Sequence, residues 1–250
     1  MKAMILAAGY GTRLKPLTEE KPKALVEVNK IPMLELVIRK LIANGVHEIV
    51  INLHHFAEQI SSFLEQKNNF GVTIHFSHEA EILGTGGGLW AASRFLKGDE
   101  PFILHNVDIM STMDLRILLQ HHRKNQALAT LALMARDSSR YFLTDERNYI
   151  CGHENTVKNL VRMRREPVGQ TARMAFCGIH IIAPEIFDHM AGTGRFSIVD
   201  VYLDLAEKRL PIIGLPMDEF YWQDIGKIDA LSEIESDIET HVISADELIR

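Results

Sequence analysis

Hydrophobic positions fall in short blocks separated by polar, glycine-containing stretches. Residues 4–8 are an apolar run closed by Gly9, the pattern of a strand buried on both faces. A loop rich in Gly and Pro follows, from Gly9 to Lys23. Pro32 then opens a helical pattern with Met33, Leu36, Val37, Leu41 and Ile42 on one face, ending near Asn44-Gly45. Residues 48–53 predict a second buried strand, and Ala57, Ile60, Phe63 and Leu64 a second helix. Strands are expected at 72–76 and 102–104, with a helix over 86–96 between them. This alternation predicts a mainly parallel sheet with helices on both faces, in which ligands bind beyond the carboxyl ends of the strands. The loops at Gly9, Gly84 and Asp108 fall at or near such ends.

The second half is less regular. A helix is expected over 115–123, strands over 127–134 and 176–182, and a helix over 197–208. Residues 136–174 are rich in charge and turns, and predict short hairpins over the ligand-binding end of the sheet. There is no internal repeat or clear linker, so one domain spanning residues 1–250 is expected.

Composition narrows the classes of function. A formal net charge of -6 argues against a basic nucleic-acid surface. The N-terminal apolar run is too brief for a signal peptide, and no stretch approaches a membrane span, so a cytoplasmic location and no membrane partner are expected. The two cysteines, Cys151 and Cys177, are far apart and read as reduced thiols. The neighbouring pairs His54-His55 and His121-His122 point to different faces, which makes them poor metal sites and predicts surface or loop histidines.

The loop from Ala7 and Ala8 through Gly9, Gly11, Thr12, Arg13 and Leu14 to Lys23 lacks the Gly-Lys-Ser/Thr of a P-loop. Leu14 stands where a dinucleotide fingerprint has its third glycine. What remains is a glycine-rich turn after a strand, carrying two cations. Glycines let backbone N–H groups approach phosphate oxygens; Arg13 offers a planar fork and Lys23 a compact charge.

Gly9, Gly11, Thr12, Arg13, Leu14, Pro16, Leu17, Thr18, Pro22 and Lys23 together closely resemble the GxGTRLxPLTxxxPK signature of the sugar-1-phosphate nucleotidyltransferases. The resemblance implies a Rossmann-like three-layer α/β/α fold with a mainly parallel, mixed sheet. It further implies a nucleotide-binding half (1–110) and a sugar-binding half (111–250). Glu79 to Gly88, including Gly84 and Thr85, looks like the family's base-recognition loop. Asn106-Val107-Asp108 resembles the family's Asn-Gly-Asp, with valine in place of glycine. Trp222-Gln223-Asp224-Ile225-Gly226 looks like its W-x-D-I-G element, although Lys227-Ile228-Asp229 departs from the usual Thr-Pro-Glu. Asp108 and Asp224 would then hold Mg²⁺, an ion suited to oxygen ligands.

For the sugar, the resemblance points to Arg140-Tyr141-Phe142, Gly152, Glu166 and Gly178. Relatives carry Glu-Lys-Pro where this chain has Glu166-Pro167, so the sugar-phosphate lysine is missing; Arg164, Arg165 or Lys158 are candidates to replace its charge. The implied partners are a nucleoside triphosphate and a sugar 1-phosphate, with the protein a monomer or small homo-oligomer. The implied catalytic groups are Arg13, Lys23 and Asp108. Within the family, the short chain and the Gly84-Thr85-Gly86-Gly87-Gly88 loop look most like uridylyltransferases for N-acetylmuramate 1-phosphate. Guanylyltransferases for mannose or heptose 1-phosphate come next, and choline-phosphate cytidylyltransferases third. A silent nucleotide-sugar sensor is a reading of another class. A glycosyltransferase would be expected to carry D-x-D, and Asn106 occupies its first place here.

Overall fold

The computed structural model describes residues 1–190 and 192–250. The chain runs through β1 (Lys2–Leu6), the small hairpin β2 (Glu27–Val28) and β3 (Ile31–Pro32), α1 (Met33–Ala43), β4 (Glu48–Leu53) and α2 (Ala57–Gln66). It continues through β5 (Thr73–His78), α3 (Gly84–Ala91), α4 (Ser93–Leu96), β6 (Phe102–Asn106), β7 (Ile109–Ser111) and α5 (Leu115–Lys124). The second half adds β8 (Ala129–Met134), β9 (Arg140–Thr144), β10 (Ile150–Asn155), β11 (Leu160–Met163) and β12 (Ala172–Ile182). It ends with α6 (Ile198–Glu207), β13 (Ile212–Pro216), β14 (Trp222–Asp224) and α7 (Ile228–Glu239).

Strand alternation divides the interior into two cores. Ala3, Ile5, Ile49, Ile51 and Ile103 face one side, packed with residues of α1, α2, α5 and α7. Met4, Val50, Phe102 and Leu104 face the other, against residues of α3, α4 and α6. A sheet covered on both faces needs apolar residues at odd and even positions alike, which is why these strands read as continuous apolar runs.

The strands β5, β4, β1 and β6 lie side by side and parallel. The chain lays β4 and β5 on one side of β1, then returns to place β6 on the other. That reversal leaves a crevice at the carboxyl ends of β1 and β6, the switch point where open α/β sheets bind ligands. Beyond β6 most pairings are antiparallel: β12 pairs with β6, β8 and β9, β9 with β10, and β10 with β11, while β13 runs parallel to β8. The sheet is mixed, as expected, with its longest parallel run in the first half. In the register Ile179 opposes His105, so residues 172–177 project past the end of β6 and, with β9 to β11, wall one side of the crevice.

Several boundaries differ from the sequence reading for local reasons. β1 ends at Leu6 rather than Ala8, because the Ala7 N–H donates to the Asn52 side chain (2.7 Å) instead of a ladder carbonyl. β13, β14 and α7 lie where the patterning assigns nothing. His122 is buried rather than exposed, with Nδ1 3.0 Å from Thr130 Oγ1. Cys151 and Cys177 are free and buried. Among the described residues no helix is long and apolar enough to cross a membrane.

Burial holds three histidines neutral: the imidazoles of His105 and His122 are pushed down to about 4 and that of His180 to about 3. Unfolding frees them to protonate near the ordinary value of ~6.5. Their stabilising effect is thus complete above that pH and is lost as pH falls toward about 4. Urea unfolding midpoints are expected to drop between pH 7 and pH 5, with His180 alone contributing about 1–2 kcal/mol. His180→Phe is expected to flatten that slope.

Candidate active site

Strand ends bring the predicted phosphate and metal residues into one crevice. Gly11, in the left-handed region at φ 66, turns the chain after β1 and lets its carbonyl accept from Leu14 N (2.8 Å) and Thr18 Oγ1 (2.9 Å). Leu14 is buried beneath the loop, which anchors a segment whose Gly9, Thr12 and Arg13 are exposed. A Cβ on Gly11 would lie 3.0 Å from Lys23 Cβ, so this glycine lets the loop close against the lysine.

Lys23 forms an ion pair with Asp108. Asp108 follows β6, and the chain then enters β7, which pairs antiparallel with β14 so that Asp224 opposes Ile109. Ile225 N–H donates to the Asp108 carbonyl (2.8 Å). Two aspartates far apart in sequence thus share one site. Burial, and then the neighbouring Asp108 charge, hold the Asp224 carboxyl above the usual carboxylate range; Lys23, Arg13 and the Gly226 N–H pull the other way. Gly226 leaves room for the Arg13 guanidinium, since a Cβ there would sit 2.5 Å from Nη2. Among the described residues no group of three His, Cys, Asp or Glu is placed to hold a metal.

A cleft of about 210 Å³ runs from Ala7, Ala8 and Gly9 past Lys23 and Asp108 to Glu79, Gly84 and Thr85. A relay of hydrogen bonds fixes its floor. Asn52 at the end of β4 accepts from Ala7 N and donates to Glu79 Oε1 (2.7 Å), and Glu79 Oε2 accepts from Leu83 N (2.9 Å). Glu79 is buried, and both of its oxygens already have partners, so its first role is to join three strand ends. His54 Nδ1 lies 2.8 Å from the Glu79 carbonyl, and Nε2 3.1 Å from Tyr10 Oη. A carbonyl only accepts, so Nδ1 carries the proton, and this histidine ties the glycine loop to the same floor. Thr85 Oγ1 accepts from Ile198 N (3.0 Å), leaving its own O–H free to donate. Asn52 was not singled out from the sequence; one polar residue near the end of an otherwise apolar strand was its only signal.

A second cleft, about 250 Å³, contains Arg136, Arg140, Tyr141, His153, Gly178 and Asp224. Asn106 lines both clefts, so they meet beside the aspartates. Tyr141 Oη accepts from Ser138 N (2.8 Å), holding the turn that enters β9. Gly178 sits in the left-handed region (φ 74) where β12 slips register against β8, a bulge that redirects the strand toward β9. Two other predicted sugar residues are not brought here. Gly152 packs against β11, where a Cβ would lie 2.6 Å from the Arg162 carbonyl; its neighbour His153 turns into the cleft instead. Glu166 is exposed in the connection after β11 and lines neither cleft. Arg164 pairs with Glu207 (3.3 Å), Arg165 lies over Tyr149 (4.0 Å), and Lys158 is exposed. A larger cavity of about 380 Å³ lies at the opposite end of the sheet, near Pro101, Leu128 and Pro211, far from the phosphate loop.

Two glycines separate packing from ligand binding. A Cβ on Gly178 would meet Ile109 Cγ1 at 2.8 Å and Asn106 Nδ2 at 2.9 Å, in a conformation that costs a non-glycine residue roughly 1–2 kcal/mol. A Cβ on Gly9 would meet nothing within 4 Å. Gly178→Ala is expected to lower the melting temperature by several degrees. Gly9→Ala is expected to leave melting unchanged and to weaken nucleotide binding, as read by calorimetric titration.

Residues 2–241 match the family model described as nucleotidyl transferase. The UTP–glucose-1-phosphate uridylyltransferase of Synechocystis sp. is 30% identical over 241 residues, which cover 91% of this chain and 61% of that protein. A mannose-1-phosphate guanyltransferase of Yarrowia lipolytica is 32% identical over 230 residues, with the same two coverages. The chain thus spans about three-fifths of the length of these curated relatives. The crystal structure of UDP-glucose pyrophosphorylase complexed with UDP-glucose superposes with a TM-score of 0.75 at 18% identity, covering 96% of this chain and 98% of that one. With its mixed sheet, its glycine loop at the switch point and a model match over nearly all its residues, the chain belongs to the nucleotidyl transferase family.

Proposed function

We propose that the protein transfers a nucleotidyl group from a nucleoside triphosphate to a sugar 1-phosphate, releasing pyrophosphate. The observation that carries this reading is the meeting of two clefts at Asn106, with Lys23, Arg13, Asp108 and Asp224 gathered at the junction. One cleft takes the triphosphate, built mainly by residues 1–110; the other takes the sugar phosphate, built mainly by 111–250.

An oxygen of the sugar's phosphate attacks the α-phosphorus. The bond from that phosphorus to the bridging oxygen breaks, and pyrophosphate leaves with the electron pair. The nucleophile is already anionic, so the reaction needs alignment and charge neutralisation more than a protein base. Backbone N–H groups between Gly9 and Arg13 cradle the triphosphate, and the Arg13 fork grips its β- and γ-phosphates. Lys23 balances charge at the α-phosphate. Asn52 and Glu79 hold the base-loop floor in place.

Asp108 and Asp224 suit a divalent cation: both donors are carboxylates, and the raised Asp224 carboxyl marks a place where a positive charge is favoured. A pair of carboxylates suits Mg²⁺, which keeps waters and takes phosphate oxygens. When bound, such an ion supplies Lewis-acid stabilisation of the phosphate charge.

UTP with N-acetylmuramate 1-phosphate is our first assignment, resting on the small-residue Gly84–Gly88 loop for the pair and on the uridylyltransferase relative for the base. GTP with mannose 1-phosphate is the second, supported by the guanyltransferase relatives. A pyrophosphate-release screen of four nucleoside triphosphates against a panel of sugar 1-phosphates tests the reading. One productive pair supports it; no turnover with any pair would sink it and favour a sensor.

A further inference from the structure

The geometry points to Arg136 as the group that binds the phosphate of the sugar acceptor, with Trp222 as its platform; this rests on the transferase reading above. No lysine stands beside Glu166. Arg164, Arg165 and Lys158 do not line the cleft. Arg136, just past β8, and Arg140, at the start of β9, line it, and Arg136 is the one whose guanidinium is held in place.

Its guanidinium lies 3.8 Å from the Trp222 ring centroid. Nη2 donates to the Phe176 carbonyl (2.8 Å) and Nη1 to the Asp137 carbonyl (3.3 Å), while Nε is buried with no partner. These partners are neutral carbonyls, so they orient the cation without cancelling its charge. The β12 bulge supplies the support: Phe176 holds Arg136, and the next carbonyl, Cys177, accepts from Trp222 Nε1 (2.8 Å). Trp222 and Asp224 are two apart on β14 and so point to the same side of the strand. Arg136 on Trp222 therefore neighbours Asp224, at the place where the acceptor phosphate must lie to reach the α-phosphorus. A stacked, planar fork suits that task, whereas a lysine would lose both the stacking and the paired donors.

The test is steady-state kinetics on the whole chain, with the nucleotide and acceptor pair that the screen finds most active. Arg136→Ala is expected to raise KM for the sugar 1-phosphate by roughly 10- to 100-fold and to leave KM for the nucleotide within about 2-fold. Arg136→Lys is expected to fall between, and Arg164→Ala to match the wild type. Circular dichroism checks folding; if the alanine variant is unfolded, the lysine variant decides by the same split between the two KM values. An active wild type whose folded variants keep the acceptor KM, or change both KM values alike, overturns the assignment alone. A wild type that turns over no pair overturns the transferase reading and this assignment with it.

Discussion

Asp108→Asn is expected to lower turnover by about 10²- to 10³-fold while the protein stays folded, the scale seen when one electrostatic contact to a reacting centre is removed. Asp108 stands where the two clefts meet, and its carboxylate is the counter-charge of Lys23. Its backbone carbonyl, not its side chain, takes the Ile225 N–H that joins β14 to β7. The amide therefore removes charge without breaking the frame. Lys23→Ala should cost turnover on the same scale but differ in stability. It leaves Asp108 and Asp224 facing each other with less neutralising charge, so its melting temperature should fall where that of Asp108→Asn does not. Near-normal pyrophosphate release by either folded variant contradicts these roles.

Asp224→Asn should abolish turnover to a similar degree and make the protein more stable when divalent ions are absent. Burial and the adjacent Asp108 hold the Asp224 carboxyl above its usual range. For a raised carboxyl the sign is destabilising: the cost is present above the folded-state pKa and is released as pH falls through it. Asparagine keeps an oxygen to accept from Gly226 N and carries no charge. At neutral pH, in chelator, the melting temperature of the variant should lie above that of the wild type. At acid pH, where the wild-type carboxyl is itself protonated, the gap should close. Millimolar Mg²⁺ should stabilise the wild type and not the variant, reversing the order, because an ion that binds only the folded state adds stability by mass action. An unchanged order with and without Mg²⁺ would contradict a two-aspartate cation site.

The residues proposed for phosphate and metal were legible as candidates because they lie in compact motifs at strand ends. Gly9 to Lys23 follows β1 directly, and Asp108 and Trp222-Gln223-Asp224 each sit in a recognisable run. The parallel half of the sheet was legible for a related reason: strands buried on both faces read as unbroken apolar runs. The acceptor cleft was not. Its wall is antiparallel, and which residue of β10 faces the cleft depends on register; one position separates Gly152 from His153. The bulge at Gly178 supplies carbonyls to Arg136 and Trp222, a pairing across distant segments that no local pattern encodes. Arg136 lay in a stretch that read only as charge and turns. Asn52 and Glu79 act through each other, so neither could be assigned alone.

The proposed reaction moves the α-phosphorus to a sugar phosphate. It is tested most directly by incubating the wild-type protein and Mg²⁺ with the active sugar 1-phosphate and nucleoside triphosphate labelled at either the α- or the γ-phosphorus. The expected result is α-label in a nucleotide-sugar and γ-label in pyrophosphate, in equal amounts. α-Label in free nucleoside monophosphate with the sugar phosphate left intact, or γ-label in inorganic phosphate, would contradict it.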